Sequence, residues 1–197
     1  MSKNEEARAL AQKGETNYLA RNYDAALVYF NLAIEKNDQY AWAYAHRGQV
    51  HRHKEDFLAA VKDFDKAVEL EKDYVWAYAH RGETKFMMGK HHEAAEDLNK
   101  ALKVEPKYTW GLAHLGQVYR FLGEEHYQDA IQCFTLAIEQ NSNYAWAIAY
   151  RSTIHALMHN YEEAWADLLN AIKIDPVIPL RGSQATELGA DIFAGLV

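Results

Sequence analysis

A nine-residue segment recurs along this chain at a nearly constant interval. Tyr40-Ala-Trp-Ala-Tyr-Ala-His-Arg-Gly48 is followed by Tyr74-Val-Trp-Ala-Tyr-Ala-His-Arg-Gly82, Tyr108-Thr-Trp-Gly-Leu-Ala-His-Leu-Gly116 and Tyr144-Ala-Trp-Ala-Ile-Ala-Tyr-Arg-Ser152, at spacings of 34, 34 and 36. A fainter copy comes first, with Gly14 standing 34 residues before Gly48. The second half of each interval has its own recurrence: Ala26, Phe30, Ala33; Ala60, Phe64, Ala67; Ala94, Leu98, Ala101; Ala130, Phe134, Ala137; Ala164, Leu168, Ala171. A period of about 20–50 residues marks units that cannot bury their apolar faces alone and must stack on their neighbours. Five units result, 7–40, 41–74, 75–108, 109–144 and 145–178, with residues 1–6 in front and a tail of 179–197 behind.

Within a unit, apolar residues three and four apart mark two amphipathic helices. The helices divide near the fifteenth position, where Gly89 and Gly123 sit, and the two additional residues of the fourth unit fall in Gly123-Glu-Glu-His-Tyr127. Composition agrees: 49% apolar and 13% aromatic residues suffice for a core, while 3 Pro and 10 Gly leave little punctuation for β structure. The tail places Leu188, Ile192, Phe193 and Leu196 at helical spacing, although Gly189 weakens that helix. The expected fold is all-α: a right-handed α-solenoid of five helix-turn-helix repeats plus a C-terminal capping helix.

These residues resemble the tetratricopeptide repeat. Gly48, Ala60, Phe64 and Ala67 match its pattern in the second unit, and Tyr78, Gly82, Ala94, Leu98, Ala101 and Pro106 in the third. Ala164, Leu168, Ala171 and Pro176 match in the fifth, where Ser152 departs at the Gly position. The resemblance implies that the first helix of each unit lines a concave groove through its second, fifth, sixth, ninth, twelfth and thirteenth residues. The implied peptide-binding groove therefore comprises Trp42, His46, Gln49 and Arg52, then Trp76, His80, Glu83 and Phe86, then Trp110, His114, Gln117 and Arg120, and finally Trp146 and Tyr150. Small residues such as Ala45, Ala79, Ala113 and Ala149 lie between them. Such a face suits a peptide with apolar anchors and some acidic residues, since Trp and Arg often dominate binding energy at interfaces. A second reading of the four Trp residues is that each packs on the neighbouring unit and sets the superhelical pitch.

Comparison among the copies assigns further roles. Arg47, Arg81 and Arg151 accompany Asp63, Asp97 and Asp167 sixteen residues later, whereas in the fourth unit both members change together, to Leu115 and Cys133. The two positions are expected to touch within each hairpin, which makes the arginines structural. Cys133, the single cysteine, then reads as an inert buried thiol. His46, His80 and His114 repeat on successive units, about 10 Å apart, too far for shared metal ligation; protonation near pH 6 that modulates a groove partner is the stronger reading. Tyr40, Tyr74, Tyr108 and Tyr144 stand where a large residue can staple the start of a helix.

The function expected is a non-enzymatic protein-interaction module that binds a peptide or protein segment in its groove, with no cofactor and no metal, because no nucleophile-base pair, phosphate loop or metal cluster stands out. The motif resembles arrays of prokaryotic signalling and scaffold proteins. One alternative is a self-assembling scaffold that forms homo-oligomers through its ends or its apolar tail, and a weaker one is an RNA-binding helical repeat. With 21 Lys and Arg against 28 Asp and Glu, a net charge of −7, nucleic acid is disfavoured as partner. The polar stretch from Met1 to Leu10 and the lack of an 18-residue apolar run argue against a secretory signal and a membrane span and for a cytoplasmic location.

Overall fold

The computed structural model describes residues 2–177. It is all-α, with ten helices among the described residues: α1 (Lys3–Leu19), α2 (Tyr23–Lys36), α3 (Ala41–His53), α4 (Phe57–Leu70), α5 (Val75–Met87), α6 (His91–Val104), α7 (Thr109–Leu122), α8 (Tyr127–Gln140), α9 (Ala145–Leu157) and α10 (Tyr161–Ile174). Each odd helix packs along the next even one, so the helices form five consecutive hairpins. The chain divides into two compact units, residues 1–104 with α1–α6 and residues 105–197 with α7–α10. The expected capping helix lies in 179–197, outside the described residues.

Local chemistry sets the ends of these helices. α1 begins at Lys3, ahead of the expected unit start at Ala7, because Ser2 and Glu5 close a capping box: the Glu5 N–H donates to Ser2 Oγ at 3.3 Å and the Ser2 N–H to Glu5 Oε2 at 2.7 Å. The turn inside each hairpin passes through a left-handed residue at the same repeat position: Arg21, Glu55, Gly89, Gly123 and His159. In four of the five, the next residue's N–H reaches five back, as from Asn22 to the Asn17 carbonyl at 2.8 Å and from Asp56 to that of His51 at 2.9 Å. That bond closes the helix and holds three non-glycine residues left-handed. The exception is Gly123, where the two additional residues enter as a 3-10 turn over Glu124–His126.

Small residues sit where the two helices of a hairpin cross. A Cβ placed on Gly48 would stand 3.1 Å from the Ala60 carbonyl oxygen, and one on Gly82 3.0 Å from that of Ala94. Ser152 occupies the same place in the fifth hairpin, and its Oγ donates to the equivalent carbonyl, Ala164, at 2.7 Å. Beneath these crossings Phe30, Phe64, Leu98 and Phe134 are fully buried.

Candidate functional site

Within each unit the first helices of successive hairpins approach one another: α1 meets α3 and α3 meets α5 in the first unit, and α7 meets α9 in the second. Within each unit, among the described residues, no second helix comes within 8 Å, Cα to Cα, of the next second helix. First helices therefore form the inner face of each stack, and the fourteen groove candidates all lie on them.

In the first unit this face is an interlocked ladder of rings. The Trp42 and His46 centroids are 3.8 Å apart, His46 stacks on Trp76 of the next hairpin at 4.8 Å and 14°, and Trp76 stands 4.1 Å from His80. Phe30 lies 6.1 Å from Trp42 and Phe64 6.1 Å from Trp76, so each indole also rests on the core of the hairpin before it. The second unit repeats the scheme with Trp110 3.8 Å from His114, His114 5.2 Å from Trp146, and Trp146 4.4 Å from Tyr150. Trp42, Trp76 and Trp146 thus pack between neighbouring hairpins and stay partly exposed, whereas His80 is buried. The tyrosines ahead of the helices lie on the indoles two residues on, Tyr40 on Trp42 at 5.9 Å and Tyr144 on Trp146 at 6.0 Å, and so extend the ladder.

For His46 and His80 this packing overturns the expectation of titration near pH 6. Burial, together with the neighbouring His80, lowers the His46 pKa to about 4, and burial lowers His80 as well despite its hydrogen bond to Glu83. Burial by itself would raise Glu83; the His80 Nδ1 bond at 3.1 Å and the Arg52 guanidinium outweigh it and hold the carboxylate down at about 2. Arg52 and Glu83, on α3 and α5, form an ion pair between hairpins, and Tyr18 Oη meets His53 Nε2 at 2.8 Å beside it. His46 and His80 are neutral spacers at neutral pH. His46 takes a proton near pH 6.5 when unfolded but only near 4 when folded, so protons favour the unfolded chain and stability falls as pH drops through that interval. Glu83 extends the loss below its ordinary value of 4.5. Urea unfolding should show a clearly lower midpoint at pH 4.5 than at pH 7, and His46→Phe should flatten the slope; an unchanged midpoint contradicts the buried neutral imidazole.

The arginines on the other side of these helices are structural, as expected, and reach further than expected. Arg47 binds Asp63 through two bonds of 2.8 and 2.6 Å, Arg81 binds Asp97 with the same lengths, and Arg151 binds Asp167 at 2.7 and 2.8 Å. Each also donates its remaining nitrogen to the second helix of the hairpin before: Arg47 to Asn31 at 2.7 Å, Arg81 to Asp65 at 2.7 Å, Arg151 to Thr135 at 2.9 Å. One guanidinium thereby ties three helices. The signal for this reach lay sixteen residues before each arginine, where Asn31, Asp65 and Thr135 are polar. Leu115 and Cys133, which replace the pair in the fourth hairpin, are both buried, and burial pushes the thiol up to about 12, far from a nucleophile's range. Among the described residues no cluster of His, Cys, Asp or Glu is arranged to hold a metal, and no helix is long and apolar enough to cross a membrane.

Hairpins of this size, with a small residue at each crossing and first helices facing inward, define a helical-repeat protein of two-helix units. The family model of the tetratricopeptide repeat matches residues 43–74 and 77–108. No curated protein sequence matches the chain significantly. Among solved structures, PilF of Pseudomonas aeruginosa superposes with a TM-score of 0.85 over 98% of this chain and 85% of that one, at 17% identity. YrrB, described as a tetratricopeptide repeat protein with an unusual peptide-binding site, gives 0.73 at 21% identity over 92% and 90%. The first repeat domain of Spaghetti, solved with an HSP90 peptide, gives 0.60 at 24% identity over 61% and 96%. Residues 43–74 and 77–108 thus match tetratricopeptide repeats, and the described chain shares the fold of proteins built from them.

Proposed function

We propose that this chain is a non-enzymatic interaction module that binds a peptide or protein segment on the inner face of its first helices. The observation that carries this reading is the partly exposed tryptophans on the inner face of each unit, beside Gln49 and Arg52 in the first and Gln117 and Arg120 in the second. An apolar platform with a few polar groups beside it is the composition of a binding patch rather than of an ordinary exposed helix surface. YrrB and Spaghetti, which share the fold, take peptides, and this supports the same use here. The test is selection of a phage-displayed peptide library on the full chain, followed by binding to the double variant Gln49→Arg, Gln117→Arg. Both glutamines are partly exposed on the inner face, so the variant should unfold at nearly the wild-type temperature while selected peptides bind at least ten-fold more weakly. Peptides that bind the folded variant at full strength overturn the reading.

A further inference from the structure

The arginine bonds that tie one hairpin to the next have no acceptor waiting at the end of α10. Asn31, Asp65 and Thr135 each accept from the arginine sixteen residues on, which belongs to the following hairpin. Thirty-four residues after Thr135, the same position of the fifth hairpin holds Leu169, which has no polar atom to offer and is 49% exposed. Beside it Leu168 is only partly buried, whereas its counterparts Phe30, Phe64, Leu98 and Phe134 are at most 1% exposed. Phe30, Phe64 and Phe134 lie 6.1, 6.1 and 6.2 Å from the indole of the hairpin that follows. Among the described residues no helix follows α10. The face of α10 that would meet a further hairpin is therefore apolar where the others are polar, and open where the others are covered. The exit from α10 repeats the turn that elsewhere leads into the next first helix. The Asp175 N–H donates to the Ala171 carbonyl at 2.8 Å and the Val177 N–H to Asp175 Oδ1 at 3.1 Å. Asn37 and Gln39 make the same two bonds ahead of α3, at 3.0 and 2.9 Å, and Asn141 and Asn143 ahead of α9, at 3.0 and 3.1 Å.

We infer that the open face of α10 is the docking surface for residues 183–197 of the same molecule, with Leu188, Ile192, Phe193 and Leu196 seated on Leu168 and Leu169. The chemistry of the face selects this occupant. Residues 182–197 hold no Lys or Arg, so nothing in the segment calls for the acceptor that Leu169 lacks. The turn at Asp175 sends the chain toward this side, and the ten residues between Val177 and Leu188 reach about 30 Å when extended. The 14 residues of α10 span roughly 21 Å, so Leu188 can be brought to any point along it. A second copy stacked end to end fits worse. Its Lys13 stands 34 residues before Arg47, at the arginine's place in the repeat, and would lose its solvation against Leu169. The seated segment closes the end at which the array would otherwise present an apolar surface to other chains.

Thermal unfolding of the full chain tests the inference through a cycle of two changes. One is Leu169→Asn, which restores the residue type found at Asn31; the other is the paired change Ile192→Asn, Phe193→Asn. Either should lower the midpoint by at least about 3 °C, and the two combined by little more than the larger, because both break the same contact. Additive shifts overturn the inference, and so does a Leu169→Asn midpoint within about 1 °C of wild type. Light scattering across concentration shows whose segment is seated. Wild type and the Ile192→Asn, Phe193→Asn variant should have the same mass in solution. A wild-type dimer that this variant converts to a monomer overturns docking within one molecule in favour of segments exchanged between two copies.

Discussion

Asp97→Ala should lower the unfolding free energy by about 3–5 kcal/mol, measured by urea denaturation, the range for removing one member of a buried ion pair. The carboxylate is 1% exposed and stands at the centre of a cluster. Arg81 donates to it at 2.8 and 2.6 Å, Lys85 reaches it at 2.8 Å and Lys100 at 3.8 Å. Its removal leaves two cations, with 10% and 15% of their side chains exposed, without their shared anion. Alanine also weakens the hold of Arg81 on Asp65, because the two Asp97 bonds fix the plane of the guanidinium. The double variant Arg81→Leu, Asp97→Cys reproduces what the chain itself carries at Leu115 and Cys133, and it should lose about half as much because it strands one cation fewer. If both variants lose the same amount, the cluster does not act through charge pairing.

That pair was legible in the sequence for a definite reason. A repeat protein contains its own comparison, and the joint change to Leu115 and Cys133 in one copy exposes a contact that an isolated copy hides. The hairpins were legible likewise, since the small residue at the crossing and the Phe or Leu beneath it return every 34 to 36 residues. The start of the first helix was not, because residues 1–6 have no counterpart in the other copies and their structure comes from the local box of Ser2 and Glu5. The histidines misled because sequence gives a side chain's ordinary pKa and not its burial; His46 stands between two indoles, which exclude the water that would solvate its proton. Nor did the repeated Trp distinguish packing from binding, because a ring that fits between hairpins and a ring that meets a ligand impose the same 34-residue recurrence.

Trp76→Ala should therefore cost about 3 kcal/mol of stability even in the absence of any ligand. The indole stands 4.8 Å from His46 of the hairpin before it, 4.1 Å from His80 and 6.1 Å from Phe64, centre to centre, so its loss opens a gap on the seam between two hairpins. The effect stays at the lower end for an aromatic truncation because part of the ring already faces solvent. Trp76→Phe should recover about half of it by keeping a ring against His46. Loss of peptide binding in Trp76→Ala would be ambiguous for the same reason: a loosened seam displaces the whole inner face. Binding variants belong at Gln49, Gln117 and Arg120, whose side chains are not rungs of the Trp and His ladder. A stability change below about 1 kcal/mol for Trp76→Ala would show that the indole does not tie the hairpins together, and contact with a ligand would then be the remaining physical reason for a tryptophan at that position in four of the five repeats.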